Sequence, residues 1–92
     1  MGLTFEWAAR KAESNRRKHG VTFHEAASAF GDPASITIPD PDHSADEVRS
    51  ILLGRTYFER LVVVVHVDRG DSIRIISARP ATRAERQTYE EG

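Results

Sequence analysis

The sequence contains no cysteine, one methionine and one tryptophan among its 92 residues. Without cysteine the chain forms no disulfide and has no thiolate nucleophile or cysteine-ligated metal, which fits a reducing compartment. It also lacks an apolar run near the roughly 20 residues that cross a membrane. The first residues have neither the basic start nor the apolar core of a signal peptide. We therefore expect a cytoplasmic protein that does not enter a membrane.

The length allows one domain, residues 1–92, with a modest core. The net charge of −1 argues against a general coat of nucleic acid, but the charge is uneven. Residues 32–59 carry six acidic and two basic side chains, whereas residues 72–89 carry four arginines against Glu85 alone. Because the local potential attracts an anion, a near-neutral total can hide a basic cleft.

The pattern of residues predicts the order β-α-α-β-β-β-β-α in an α+β domain. Leu61 to Val67 is apolar at every position but one, as in a central strand. Thr22 with Glu25, and Thr82 with Glu85, have the spacing of capping boxes that start helices. Hairpin connections predict an antiparallel sheet with the helices on one face. The predicted strands are 4–7, 35–38, 48–55, 61–67 and 73–79, and the helices are 8–19, a second opened by 21–25, and a third from 82.

Arginines near the end of the last predicted strand indicate an anion site. Arg79 ends the strand, and Arg83 lies in the first turn of the next helix. Guanidinium groups stay charged and bind phosphate through paired hydrogen bonds, and N–H groups at a helix start also attract anions. Arg79 and Arg83 are therefore predicted to hold an RNA phosphate, with Arg74 and Arg86 as further contacts. In the alternative interpretation, Arg83 and Arg86 are solvated and the strand arginines pair with Glu47, Glu59 or Asp71.

Side-chain alternation along the strand predicts Arg74 on the face of Ala78 and Arg79 on the face of Ile75. Lys11 and Lys18, seven residues apart on the first helix, are predicted to bind the RNA backbone, although cations near a helix end are often only structural.

Three residues are candidates for moving protons. His19 ends the first helix, and Glu59 lies in the turn before the apolar strand. His66 lies within that strand, where a buried, hydrogen-bonded histidine is an equal alternative. His43 has acidic neighbours, but their irregular spacing favours a solvated loop over a metal site, and we expect no cofactor.

The aromatic candidates for binding RNA are Trp7 and Tyr89, and Tyr89 could stack on a base. The alternatives are that Trp7 is a core or lid residue and that Tyr89 anchors the last helix.

Nearly the whole chain resembles, in order, the BrnT toxins. The resemblance is carried by Phe5-Glu6-Trp7, Lys11-Ala12, Asn15, Lys18-His19-Gly20-Val21, Phe23, Glu25-Ala26, Glu47-Val48-Arg49, Gly54, Ile73-Arg74-Ile75-Ile76-Ser77-Ala78-Arg79, Ala81-Thr82, Glu85-Arg86 and Tyr89. It implies a RelE-like ribonuclease of a type II toxin–antitoxin system that inhibits translation. It also implies a DNA-binding antitoxin similar to BrnA, which covers the toxin in a hetero-oligomer and carries the complex to operator DNA.

The chain departs from that family at Ala8 and Ala9, where an acidic residue followed by proline is common. The first helix is then expected to lack a side-chain cap, a loss of about 0.5–2 kcal/mol.

We therefore expect an endoribonuclease that cleaves mRNA, free or on the ribosome, by metal-independent attack of a 2′-hydroxyl on the adjacent phosphate. Arginines would offset the charge of the phosphorane. The alternative is a non-catalytic or decayed module of the same fold that only binds antitoxin and operator DNA. A nucleotide-binding regulator is a third, weaker interpretation.

Overall fold

A computed structural model describes residues 3–40 and 48–92. It confirms the predicted order of elements, which end within about two residues of the predicted bounds. The elements are β1 (Thr4–Glu6), α1 (Ala9–His19), α2 (Phe23–Ser28), a 3-10 turn (Ala29–Gly31), β2 (Ile36–Pro39), β3 (Arg49–Arg55), β4 (Leu61–Arg69), β5 (Ser72–Pro80) and α3 (Arg83–Glu91).

The strands form one mixed sheet in the order β1-β5-β4-β3-β2. Strands β2 to β5 pair antiparallel, as their hairpins predict. β1 instead pairs parallel to β5, with Phe5 opposite Ile73. The expectation of a purely antiparallel sheet is therefore wrong at this edge. Hairpins fix the direction only of the strands they join, and β1 is followed by two helices.

Helices lie on both faces of the sheet. α1 and α2 cover the face with the larger core, whereas α3 packs on the opposite face, where Tyr89 contacts Leu53, Leu61 and Val63. The prediction of helices on one face is wrong for α3. β4 is apolar on both faces, so both need a cover. The larger core consists of Val21, Phe23, Ala26, Ala29, Leu52, Val62, Val64, Ile75 and Ala78.

β5 contains a β-bulge at Ile76. Val65 and His66 are consecutive on β4, but their partners are Ser77 and Ile75, so the residue between these two is unpaired. An extra residue of this kind reverses the alternation of side chains along the rest of the strand.

The bulge changes the faces predicted for the arginines. Ile75 and Ala78 both enter the core under α1 and α2, although they are three residues apart. Arg79 lies opposite Val63, and Arg74 lies on the same α3-covered face. The prediction that these arginines lie on opposite faces is therefore wrong. They remain separated by about 16 Å along the strand.

Three helix ends behave as their sequences predict. Gly20 ends α1 in the left-handed conformation, with φ 72°, and donates its N–H to Arg16 O. Thr82 and Glu85 form the complete capping box of α3. Ala8 gives α1 no side-chain cap, as the departure from the BrnT pattern predicts.

The Asn15 side chain connects α1 to β5. Its side-chain Nδ2 donates to Val21 O at 2.9 Å and to Ala78 O at 2.8 Å, and its Oδ1 accepts from Ala78 N at 3.0 Å. The residue is 6% exposed. These bonds satisfy backbone groups of β5 at the bulged edge and fix α1 against the sheet.

Asn15→Ala should destabilise the fold by about 2–4 kcal/mol, because it leaves buried backbone groups without partners. Urea unfolding measures the loss. Arg10→Ala, at an exposed position of the same helix, is the control and should change stability by less than about 0.5 kcal/mol. Equal stability of the two variants would contradict a structural role for Asn15.

Candidate functional site at one end of the sheet

One end of the sheet gathers residues from four parts of the chain. Arg60 Nη2 donates to Gly20 O at 2.9 Å, which brings the end of α1 to the start of β4. Ala81 N donates to Leu61 O at 2.9 Å, which brings the end of β5 to the same place. Five of the predicted site residues therefore belong to this end: Lys18, His19, Glu59, Arg79 and Arg83.

A buried carboxylate connects the helices to this end. Thr22 accepts from Glu25 N at 3.0 Å, as predicted. The Glu25 carboxylate does not complete the predicted capping box. It accepts from Arg60 Nε and Nη2 at 2.8 and 2.6 Å and from Thr56 Oγ1 at 2.8 Å. The Glu25 carboxylate is only 5% exposed, and a buried charge requires a countercharge. Its pairing with Arg60 therefore takes precedence over capping the helix. The hydrogen bonds from Arg60 hold the pKa of Glu25 below its ordinary value.

We call the turn between β3 and β4, residues 56–60, the aromatic turn. It is held by hydrogen bonds from its five backbone N–H groups. The Thr56 hydroxyl accepts two of its N–H groups, at 3.2 and 3.3 Å. Ser28 Oγ accepts the N–H of Tyr57 at 3.0 Å. The remaining two N–H groups donate to carbonyls inside the turn at 2.8 Å. Every N–H of the turn is therefore satisfied.

The aromatic turn presents two rings to solvent. Tyr57 and Phe58 are 63% and 66% exposed, with ring centroids 4.4 Å apart and planes at 89°. Glu59, which follows them, has φ 64°. This left-handed backbone is unfavourable for a residue with a side chain, by about 1–2 kcal/mol, and such strain is often found at functional sites.

A cavity of about 460 Å³ opens beside the aromatic turn. Its lining residues are mostly polar: Ser28, Gly31, Asp32, Arg55, Thr56, Tyr57 and Glu59.

Arg79 is paired with Glu85. Its Nη1 and Nη2 each donate to a carboxylate oxygen of Glu85 at 2.8 Å, in the bidentate geometry. The pairing predicted as the alternative to phosphate binding is therefore present, but with Glu85 as the partner. The hydrogen bonds from Arg79 lower the pKa of Glu85 to about 2. The Arg79 side chain remains 40% exposed.

Arg83 and Arg86 are exposed on α3. Within residues 3–40 and 48–92 neither makes an ion pair. They lie beside a shallow cavity of about 290 Å³ that Gln87 and Glu90 also line. Lys18 and His19 are likewise exposed, at the end of α1. These side chains are available to an incoming anion without first losing a protein partner.

Tyr89 fixes α3 to the sheet end. Its hydroxyl donates to Asp32 Oδ2 at 2.6 Å, and the Arg55 guanidinium lies 5.3 Å from its ring centroid. This is the geometry of a helix anchor, which was one of the two alternatives for Tyr89.

The other predicted site residues lie elsewhere. His66 is 5% exposed, and its ring packs edge-on against Phe30 under the helices. Burial lowers the pKa of His66 and favours its neutral form. Arg74 pairs with Glu6 at 3.4 Å, at the other end of β5. Trp7 packs against Phe23 in the core. Lys11 is exposed two turns before the end of α1.

The sequence favours a solvated loop over a metal site around His43. Residues 41–47 lie outside the described residues. Among the residues that are described, no three His, Asp or Glu side chains form a metal-binding group. Across the same ranges, no helix is long and apolar enough to span a membrane.

Sequence reasoning missed Arg60, Tyr57 and Phe58. Each stands in a segment interpreted only as a turn. A signal was present, because two adjacent aromatic residues in a turn between charged residues are unusual for a surface connection. The partner of Arg60, which lies 35 positions earlier, has no local signature.

Comparison with known proteins agrees with this architecture. The crystal structure of the Brucella abortus ribonuclease toxin BrnT matches with a TM-score of 0.68 over 89% of this chain and 100% of that chain, at 21% sequence identity. Residues 7–85 match the family described as "Ribonuclease toxin, BrnT, of type II toxin-antitoxin system". No curated protein matches the sequence.

The fold is that of a ribonuclease toxin, an α+β domain of three helices and a five-stranded mixed sheet. Because the family match covers most of the chain, the chain belongs to the BrnT ribonuclease toxins of type II toxin–antitoxin systems. Membership confirms the predicted family and implies ribonuclease activity, an RNA substrate and an antitoxin partner. The match ends before Arg86 and Tyr89.

Glu85→Gln should reduce the acid sensitivity of the fold. The pKa of Glu85 is lowered from 4.5 to about 2, so the unfolded chain takes up this proton first as the pH falls. The stabilisation is therefore complete above about pH 4.5 and is lost towards pH 2. Glu85→Gln should cost about 1 kcal/mol at neutral pH and flatten this decline.

Chemical denaturation from neutral pH down to about pH 2 tests this expectation. The exposed neighbour Glu91→Gln is the matched control. An acid decline of unchanged slope in Glu85→Gln would show that the Arg79–Glu85 pair does not stabilise the folded chain.

Proposed function

We propose that the chain is a metal-independent endoribonuclease whose site lies at the sheet end formed by α1, the aromatic turn, β5 and α3. The observation that carries the proposal is that these four parts bring together the cations Lys18, Arg60, Arg79 and Arg83, with His19 next to Lys18. Local positive charge of this kind attracts an RNA phosphate even though the whole chain carries a net charge of −1.

The arginines have different parts in this site. Arg83 makes no ion pair within the described ranges and is the first choice for contacting the scissile phosphate. Arg79 can contact the phosphate only by giving up its pair with Glu85. A carboxylate and a phosphate can both accept the two parallel hydrogen bonds of a guanidinium group. Arg60 is engaged by Glu25 and holds the site together. Arg86 and Lys18 are proposed to bind flanking phosphates.

The chemical step needs only groups of this kind. The 2′-hydroxyl oxygen forms a bond to the adjacent phosphorus and loses its proton to a base. The bond from phosphorus to the 5′-oxygen breaks, and that oxygen gains a proton, leaving a 2′,3′-cyclic phosphate and a 5′-hydroxyl. Arginines stabilise the doubly charged phosphorane between these events.

His19 is our first candidate for moving these protons. It is exposed at the end of α1, adjacent to Gly20, whose carbonyl binds Arg60. An imidazole can act as a general acid or a general base. Glu59, on the aromatic turn, is the second candidate. His66 is buried under the helices, which argues against its moving protons in the cleavage step.

Arg83→Ala should abolish RNA cleavage and growth arrest with little loss of stability. Removing one preorganised donor to a developing charge typically costs about 10²–10³-fold in rate. Arg79→Ala should also lose activity. Arg10→Ala removes an equally exposed cation from the start of α1 and should stay active. Cleavage of labelled RNA in chelator, with and without ribosomes, measures the effect.

Full activity of both Arg83→Ala and Arg79→Ala would refute the assignment. Cleavage that chelator abolishes would refute metal independence. If the folded wild-type chain cleaves no RNA with or without ribosomes, the chain is the non-catalytic module that binds only antitoxin and operator DNA; the pairing of Arg79 with Glu85 is the observation that favours this second candidate.

We further propose that a BrnA-like antitoxin masks the toxin and carries the complex to operator DNA. An apolar cavity of about 240 Å³ between α3 and the edge strand β2 supports a protein partner, since exposed apolar surface is a liability unless covered. Its apolar lining is Ile36, Ile38, Ile51, Leu53 and Val63.

Co-expression should yield a complex with a raised melting temperature and no ribonuclease activity. Ile38→Asp should weaken the complex, as measured by size exclusion and calorimetry, without lowering cleavage. Leu3→Asp places the same charge at a comparably exposed position, since Leu3 is 56% and Ile38 51% exposed, and should leave the complex intact. A complex as tight with Ile38→Asp as with the unmodified toxin would place the antitoxin elsewhere.

A further inference from the structure

The exposed rings of the aromatic turn have no part in the proposed cleavage step, and a cavity opens beside them. We propose that this cavity is a subsite for a single RNA base, stacked on Tyr57 and held at its hydrogen-bonding edge by the Glu59 carboxylate, with guanine as the preferred base. The inference rests on the proposed function, because it assumes that RNA enters this end of the sheet.

The rings are placed for stacking. Tyr57 and Phe58 contact each other edge to face, with a 4.4 Å separation of centroids and an 89° angle between planes. This arrangement leaves ring faces uncovered, and each residue is more than 60% exposed. An exposed aromatic face binds a base by stacking, which contributes roughly tenfold or more in affinity per base.

The platform is rigid. All N–H groups of the aromatic turn are hydrogen-bonded, two of them to the Thr56 hydroxyl. That hydroxyl is itself fixed by the buried Glu25 carboxylate at 2.8 Å. A backbone held in place before binding loses little conformational freedom when a ligand arrives, and the two rings contact each other.

Glu59 supplies a free acceptor at the cavity. Its backbone has φ 64°, a conformation that glycine adopts without strain. Within residues 3–40 and 48–92 its carboxylate makes no hydrogen bond or ion pair. Asp32 also lines the cavity, but its two oxygens already accept from Ala34 N, Arg55 N and Tyr89 Oη. Glu59 is therefore the carboxylate that remains available to a ligand.

The chemistry of the acceptor favours guanine. A carboxylate has two acceptor oxygens and no donor. Guanine presents two adjacent donors on its Watson–Crick edge, N1–H and N2–H, whereas the same edge of adenine, cytosine or uracil presents a single donor group beside acceptors. Bidentate contacts of this kind typically discriminate between bases by about tenfold or more.

The surroundings favour RNA over a protein partner. The cavity lining includes the charged side chains of Asp32, Arg55 and Glu59, and Arg60 follows Glu59 directly. The two rings are thus flanked by charges, whereas the core of a protein interface is depleted in charge. The turn also belongs to the same sheet end as His19 and Arg83, so a base bound here lies on RNA that passes the proposed cleavage site.

Fluorescence anisotropy with uncleavable RNA tests the subsite. The probes are 2′-O-methyl hexanucleotides of uridine with one central guanosine, adenosine or cytidine, or none. Wild type should bind the guanosine probe about tenfold more tightly than the all-uridine probe. Tyr57→Ala should weaken binding of every probe about tenfold, and Tyr57→Phe, which keeps the ring, should restore it. Glu59→Gln should abolish only the preference for guanosine.

Two further variants separate function from folding. Glu59→Gly relieves the left-handed backbone, so it should raise the urea midpoint of unfolding while losing the guanosine preference. Leu3→Ala removes an exposed apolar side chain from outside the sheet end and should bind all probes as wild type does. A Glu59→Gly chain that keeps the preference would overturn the role of this carboxylate.

Other outcomes are equally decisive. Unchanged binding by Tyr57→Ala would overturn the stacking role. Unchanged RNA binding with a weakened antitoxin complex would assign the rings to the protein partner instead. Cleavage of unmodified RNA is measured in parallel. Cleavage by a wild-type chain that binds all probes equally would overturn the subsite and leave the nuclease, whereas guanosine preference without cleavage would support the subsite and remove the nuclease.

Discussion

The buried charge of Glu25 is the constraint on which the sheet end depends. A carboxylate 5% exposed is tolerated only with a countercharge and filled hydrogen bonds, which Arg60 and Thr56 supply. Thr56 begins the aromatic turn and Arg60 ends it. Arg60 also donates a hydrogen bond to the carbonyl of Gly20, the residue that follows α1. One ionised group thus fixes the helices, the turn and the start of β4 relative to each other. Because the Arg60 side chain is 44% exposed, solvent screens part of its attraction to Glu25.

The arginines of this small domain fall into two groups according to their partners. Arg60 and Arg79 form ion pairs with carboxylates. The first pair positions the aromatic turn, and the second positions the start of α3. Arg83 and Arg86 extend from α3 into solvent. Within the described ranges, neither of these two arginines forms an ion pair with an acidic side chain. A chain with a net charge of −1 can therefore still have a local positive potential that attracts a polyanion.

Local sequence signals predicted the order of elements and the family, and most of what they missed is set at long range. The apolar run of β4, the Thr82–Glu85 box and Gly20 are local features, and they appear as predicted. The parallel pairing of β1, the bulge in β5 and the cover by α3 depend on residues far apart in the chain. At the candidate site, the position of Arg83 at the start of α3 follows from the sequence, and its role stays a prediction. The network of Glu25 does not follow from the sequence, because a Thr-x-x-Glu spacing satisfies a capping box equally well.

The two central attachments of the N-terminal segment, the pairing of β1 with β5 and the contacts of Asn15 with Ala78, join residues separated by more than 60 positions. During translation neither attachment can form before β5 has left the ribosome. Until then α1 has no strand to pack against, and the cations at its end are not assembled with those that follow β5. The proposed site is therefore complete only in chains that already include β5.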